Sequence, residues 1–218
     1  MKKLLFLSHI IVLAACQQQP NLRARCYARF MEEDNMLLTK IEIREIGQSE
    51  VAAIKVDEVR FNEGAMERRD NNVVGNYYQA EVMGGIPGSG FEYKIKHQKK
   101  QATIQFNVSG LKNYGVKDNY ISKSSGFTLK WDGAPLSKNE EITVTLTDFE
   151  GTVAQAVVKG ATAKNEALIP AVMFSGLKPG NGSYFLVKSI FPLTQNDNIQ
   201  SEAEVGYYSK SIAIEIKE

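Results

Sequence analysis

The segment Met36–Ile46 alternates apolar and polar side chains almost without a break. Leu37, Thr39, Ile41 and Ile43 share one parity; Leu38, Lys40, Glu42 and Arg44 share the other. A helix spreads such a set around its circumference, whereas a strand keeps each set on one face, so the pattern dictates a half-buried strand. The same grammar returns along the chain. Phe91, Tyr93 and Ile95 alternate, as do Ile104, Phe106 and Val108, then Phe127, Leu129 and Trp131. Ile142, Val144 and Leu146 oppose Thr143, Thr145 and Thr147, and Ile212, Ile214 and Ile216 share a face near the end.

Turn residues punctuate these runs. Asp34-Asn35 predicts a hairpin between Tyr27–Glu33 and Met36–Ile46. The parity change from Ile54 and Val56 to Val59 and Phe61 predicts a bulge near Asp57-Glu58. Asn62-Glu63-Gly64 and Asp70-Asn71-Asn72 are expected loops, and Asn76–Met83 a strand carrying Tyr77, Tyr78 and Val82. Further strands are expected at Val153–Val158, Phe185–Ile190 and Tyr207–Ile216. Pro170–Ser175 suits a single helical turn, because proline is tolerated at the first helical position. The glycine-rich Gly84–Gly90 lacks the Lys-Ser/Thr and following helix of a phosphate-binding loop, and it reads as a wide turn.

These signals predict an all-β chain. About 200 residues beyond the leader suffice for one large sandwich or two small ones. The composition shift at Asn107–Ser125, rich in Ser, Gly, Asn and Lys, places the division near its start. The expected organisation is two antiparallel β-sandwiches in tandem, an N-terminal one over 22–108 and a C-terminal one over 109–218.

The leader is distinct. Lys2 and Lys3 precede an apolar run, Leu4–Ala15, broken only by Ser8 and His9. The run is too short for a helix spanning ~30 Å of hydrocarbon, which takes ~20 residues, and it has the flanks of a secretory signal. It ends in Leu13-Ala14-Ala15-Cys16. Here the chain resembles a bacterial lipoprotein, whose lipobox is a Leu, two small residues and a Cys. The resemblance implies a signal peptide over 1–15, cleavage before Cys16, acylation of Cys16 and anchoring in the bilayer by several chains, where one chain holds only marginally. Residues 16–21, with Gln17-Gln18-Gln19-Pro20-Asn21, then form a polar tether. Gln17 stands where an Asp marks inner-membrane retention in that family, which favours the outer membrane. The tether lacks acidic residues, which favours the periplasmic face of the cell envelope.

The C-terminal half resembles a fibronectin type III or related immunoglobulin-like domain. The carriers are Trp131 at the end of an early strand and Leu177-Lys178-Pro179-Gly180 followed by Tyr184. The resemblance implies an immunoglobulin-like sandwich and a tyrosine corner, in which the Tyr hydroxyl bonds back to the backbone; the spacing here is one residue longer than the family's. The first half shares the strand grammar without such a marker.

Charge and reactive groups bound the function. Lys+Arg number 26 against 25 Asp+Glu, and loss of Lys2 and Lys3 leaves 24 against 25. Such balance gives no electrostatic case for nucleic acid. With Cys16 acylated, Cys26 has no partner within the chain and reads as a small buried strand residue. Beyond the leader the one histidine is His97, in the Lys-rich stretch Lys94–Lys100, a poor setting for the base of a catalytic triad. That stretch is a solvated hairpin tip or a lipid-headgroup patch. Glu32-Glu33-Asp34 lacks the Asp-x-Asp-x-Asp-Gly calcium loop and reads as an acidic turn; Asp148 and Glu150 flank another. No zinc-ligand spacing occurs, so no metal and no cofactor are expected. Tyr77-Tyr78 and Tyr207-Tyr208 offer stacking surfaces, with Tyr78 and Tyr208 the candidate binding aromatics. The expected role is a membrane-anchored, non-enzymatic binding or assembly module with a protein or glycan partner in the envelope. The alternative is a small envelope hydrolase or carbohydrate-active protein, for which paired carboxylates would be needed.

Overall fold

In the computed structural model, residues 22–46, 53–71, 75–84, 90–106, 110–195 and 199–218 are described. The leader, the tether with Cys16, and residues 85–89 of the glycine-rich turn lie outside the described residues. The first half supplies β1 (Leu22–Met31), β2 (Met36–Glu45), β3 (Glu58–Phe61), β4 (Gly64–Ala65), β5 (Glu67–Asn71), β6 (Gly75–Met83), β7 (Phe91–His97) and β8 (Lys100–Phe106). The second supplies β9 (Lys112–Val116), β10 (Tyr120–Ser122), β11 (Phe127–Asp132), β12 (Glu140–Asp148), β13 (Val153–Lys159) and β14 (Glu166–Ile169). After a single 3₁₀ turn at Ala171–Phe174 come β15 (Gly180–Ile190), β16 (Leu193–Gln195), β17 (Ile199–Tyr208) and β18 (Ile212–Lys217).

The chain is all-β and forms two sandwiches. In the first, β17-β1-β2-β6-β5 faces β4-β3-β7-β8. The three middle inward residues of β1, Ala24, Cys26 and Ala28, are small, which leaves room for the large aromatics opposite. Phe61 lies 5.0 Å from Tyr93 and 5.5 Å from Phe91, centroid to centroid. Burying such rings contributes about 2–3 kcal/mol each in transfer terms. In the second sandwich, β14-β11-β9 faces a layer in which β12 pairs with β13 and β15, and β15 with β18. Trp131 is buried there, and its indole N–H donates to the Ala134 carbonyl at 3.1 Å.

Several expectations hold in detail. β1 and β2 form the hairpin, from Leu22 opposite Glu45 to Met31 opposite Met36. Others are corrected. β5 runs through Asp70 and Asn71, where a loop was expected. The Ser/Gly/Asn/Lys-rich stretch contains β9 and β10. The Tyr184 hydroxyl bonds to the Val116 backbone in β9, so this tyrosine ties the two layers together where the family's corner closes on its own loop. The expected final strand is two strands: Ser209 breaks it, its N–H donating to the Leu186 carbonyl at 2.9 Å and its Oγ accepting the Leu186 N–H at 2.8 Å.

The largest departure concerns β17. It pairs parallel with β1 over ten residues, Leu22 opposite Ile199 through Met31 opposite Tyr208. Its last four residues also pair with β15. One 11-stranded sheet therefore runs through both sandwiches, and the buried side chains form one continuous cluster. Phe30 stacks on Tyr207 at the junction, 5.5 Å between centroids. Beside them the Glu32 carboxylate accepts from the Tyr114 hydroxyl and from the Lys210 N–H at 3.0 Å. The acidic turn is thus a joint between the halves.

Candidate binding face

The shared sheet has an outer face that no layer formed by the described residues covers. Strand parity decides what it carries. In β1, Arg25, Tyr27 and Arg29 point out; in β2, Leu38, Lys40 and Glu42; in β17, Glu202, Glu204, Gly206 and Tyr208. The registers set Glu204 beside Tyr27 beside Lys40, and Gly206 beside Arg29 beside Leu38. Together they line a shallow depression of about 270 Å³.

Cations and rings interleave across it. The Arg29 guanidinium lies 4.8 Å from the Tyr208 ring centroid. The Lys40 ammonium lies 4.4 Å from Tyr77 and 5.7 Å from Tyr27. Each such contact contributes about 0.5–1 kcal/mol at an exposed site and fixes the ring orientation. Gly206 is the permissive residue: a Cβ there would stand 2.8 Å from Cε2 of Tyr208, so only glycine lets that ring lie along the sheet. Carboxylates hold the rim. Glu202 accepts from Arg25 Nε at 2.7 Å and lies 3.4 Å from Arg23; the Arg25 bond keeps its carboxyl below the usual range, against a smaller opposing effect of burial. Glu42, nearly buried, pairs with Lys40 at 2.7 Å and Arg44 at 3.5 Å.

Tyr208 therefore sits where a contact residue can act. Tyr78 does not, and the expectation for it is corrected. It is 5 % exposed; its hydroxyl accepts the Val56 N–H at 2.9 Å and donates to the Val56 carbonyl at 3.1 Å. Tyr78 anchors the segment before β3, and its neighbour Tyr77 has the outward place. Tyr207, likewise, belongs to the core. Sequence reasoning missed Tyr27, Arg29 and Lys40, and from the Tyr77-Tyr78 pair it chose the inward member. A signal existed: Tyr77 shares parity with Gln79 and Glu81, Tyr78 with Ala80 and Val82, and the polar set marks the solvent side.

The other candidates fall apart spatially. His97 closes β7, 3.8 Å from a Glu45 oxygen, too long for a hydrogen bond, and neither ring nitrogen has a partner among the described residues. It borders a cavity of about 10 Å³ lined by Leu22, Gln98 and Lys100 among others, a lining with no hydroxyl or thiol. Cys26 is buried, and burial pushes its thiol far up, which keeps it protonated and unreactive. Asp148 accepts backbone N–H bonds from Lys178, Glu150 and Thr152, each at 2.9 Å, so it organises its turn. Glu204 is the one carboxylate among the described residues lining the depression, and the usual glycosidase chemistry uses two.

No family model matches the chain, and no curated protein matches it. Among solved structures, a tetra-tandem repeat from the extending region of a large adhesion protein is 13 % identical and covers 88 % of this chain and 49 % of its own, with a TM-score of 0.30. A run of domains from titin is also 13 % identical and covers 88 % of this chain and 61 % of its own, with a TM-score of 0.24. The chain thus spans about half of the first and less than two thirds of the second. Scores this low carry no argument, and the architecture rests on the strands and registers above.

Proposed function

We propose that this protein is a non-enzymatic binding or assembly module of the bacterial cell envelope, anchored through acylated Cys16, with the tyrosine–cation face as its contact surface. The observation that carries the reading is Gly206 clearing the sheet so that Tyr208 lies under Arg29. An uncovered sheet face needs no such arrangement for stability. Aromatic faces flanked by fixed cations and carboxylates suit stacking and hydrogen bonding to a glycan ring or to an extended polypeptide. The anchor is supported by Leu13-Ala14-Ala15-Cys16 and the basic, apolar leader before it, and the outer-membrane address by Gln17 after it.

The test is a binding panel of envelope glycans and peptides, read by calorimetry and by amide shifts of Tyr27, Arg29 and Tyr208. Tyr208→Ala and Arg29→Ala are expected to weaken the ligand that binds by about tenfold each while leaving the fold intact. Binding indifferent to both substitutions would move the contact surface elsewhere. Turnover of a glycoside, ester, peptide or phosphoester by the purified chain, lost on mutating His97 or Glu204, would establish the hydrolase instead.

A further inference from the structure

The first strand leaves the tether at Leu22, and the structure shows what surrounds that end. Leu22 and Lys100 line the same small cavity, so the β7–β8 hairpin tip stands beside the point where the chain enters the fold. Six residue steps separate Cys16 from Leu22, at most about 20 Å of extended chain. An acylated Cys16 therefore holds this tip next to the bilayer.

The lysines of the tip divide by pairing. Lys94 and Lys96, lower on β7, are engaged by Glu63, Glu92 and Glu58. Lys99 and Lys100 are exposed and, among the described residues, in no ion pair. The turn presents them rigidly: Gln98 and Lys99 have φ of 48° and 65°, a two-residue hairpin turn, and the Gln98 N–H donates to Asp57 at 3.0 Å. Such turns favour Asn-Gly, since a side chain resists positive φ. The chain has Gln-Lys there, a choice turn stability alone does not account for.

We infer that the β7–β8 hairpin tip is a second, electrostatic contact with the membrane, docking Lys99 and Lys100 on anionic lipid headgroups. The inference rests on the anchored reading above. Each lysine near an anionic surface raises partitioning about fivefold. Two are too few to recruit a free protein, yet a tether supplies a high local concentration, so they suffice to orient one already held. The tip then pins the membrane end of the first sandwich.

The experiment uses the acylated protein purified from membranes and reconstituted into vesicles of phosphatidylcholine alone, or with about a third phosphatidylglycerol. A fluorophore is placed at Gln101→Cys near the tip or at Asp34→Cys in the β1–β2 turn at the far end of the hairpin; buried Cys26 stays unlabelled. A headgroup-borne quencher is expected to quench the Gln101 label several-fold more in anionic vesicles, and the Asp34 label equally in both. High salt and Lys99→Glu/Lys100→Glu are expected to abolish the difference. Gln98→Asn/Lys99→Gly keeps a favourable turn and removes one charge, and is expected to reduce it about fivefold. Acylated Cys16 by intact mass, with equal quenching of the Gln101 label in both vesicles, overturns the tip contact and leaves the anchor standing. An unmodified Cys16 overturns the anchor and this inference with it.

Discussion

Lys188 and Glu140 show how single residues stabilise this chain. Lys188 is 7 % exposed on β15, and its ammonium lies 2.9 Å from Glu140 on β12. Burial works against the charge of Glu140, but the Lys188 bond and the Ser137 N–H hold its carboxyl below the usual range. Lys188→Ala leaves a half-buried carboxylate without its cation and is expected to cost about 1–3 kcal/mol in urea unfolding, whereas Lys188→Met with Glu140→Leu is expected to recover most of it. Glu32 gives a pH signature. Burial opposes its charge, yet Tyr114 and the Lys210 N–H keep its carboxyl below the ordinary range. Because the folded value lies below the unfolded one of about 4.3, its contribution is complete above that pH and is lost as pH falls through the folded value. Melting between neutral and acidic pH is expected to show a shallower acid loss for Glu32→Gln than for the native chain. At the outer face of the shared sheet, Gly206→Ala is expected to lift the Tyr208 ring, seen as changed ring shifts in NMR, with little change in melting.

At the scale of elements, the alternation of β2, β7, β11 and β12 was legible because each has one wet and one dry face, so polarity and geometry coincide. The pairing of β1 with β17 was not. Parity tells which face of a strand is buried and says nothing of its neighbour, and Leu22 and Ile199 are far apart in the chain. The first half of β17 also escaped, since Ser201 and Ala203 carry little apolar signal although both are buried. The same reasoning explains the site. Tyr208 was legible as one of two adjacent tyrosines on a strand, of which the pleat sends one outward, while Arg29 reaches it only through a parallel register that the sequence does not print. Ala203→Pro, in the middle of the strand that pairs with β1, removes the N–H that donates to the Pro192 carbonyl at 3.1 Å and is expected to cost about 1–3 kcal/mol. Hydrogen exchange is expected to rise in β1 as well as in β17.

For the whole molecule, one shared sheet and one continuous core mean that the halves report on each other. Trp131 fluorescence from the second sandwich and hydrogen exchange of β7 from the first are expected to give the same urea midpoint. A chain limited to residues 110–218 keeps β9 through β18 but exposes the edge of β17 that β1 covers, and it is expected to self-associate in sedimentation. The parallel pair has a mechanical meaning too. A pull on the chain before β1 enters that strand at its first residue, and a pull on the C-terminal sandwich leaves β17 at its last. Parallel strands drawn from opposite ends slide along each other, so the bonds between Leu22–Met31 and Ile199–Tyr208 share the load at once and do not open one after another. The joint between the halves is thereby a shear clamp, stiffest along the line from the start of β1 to the end of β17.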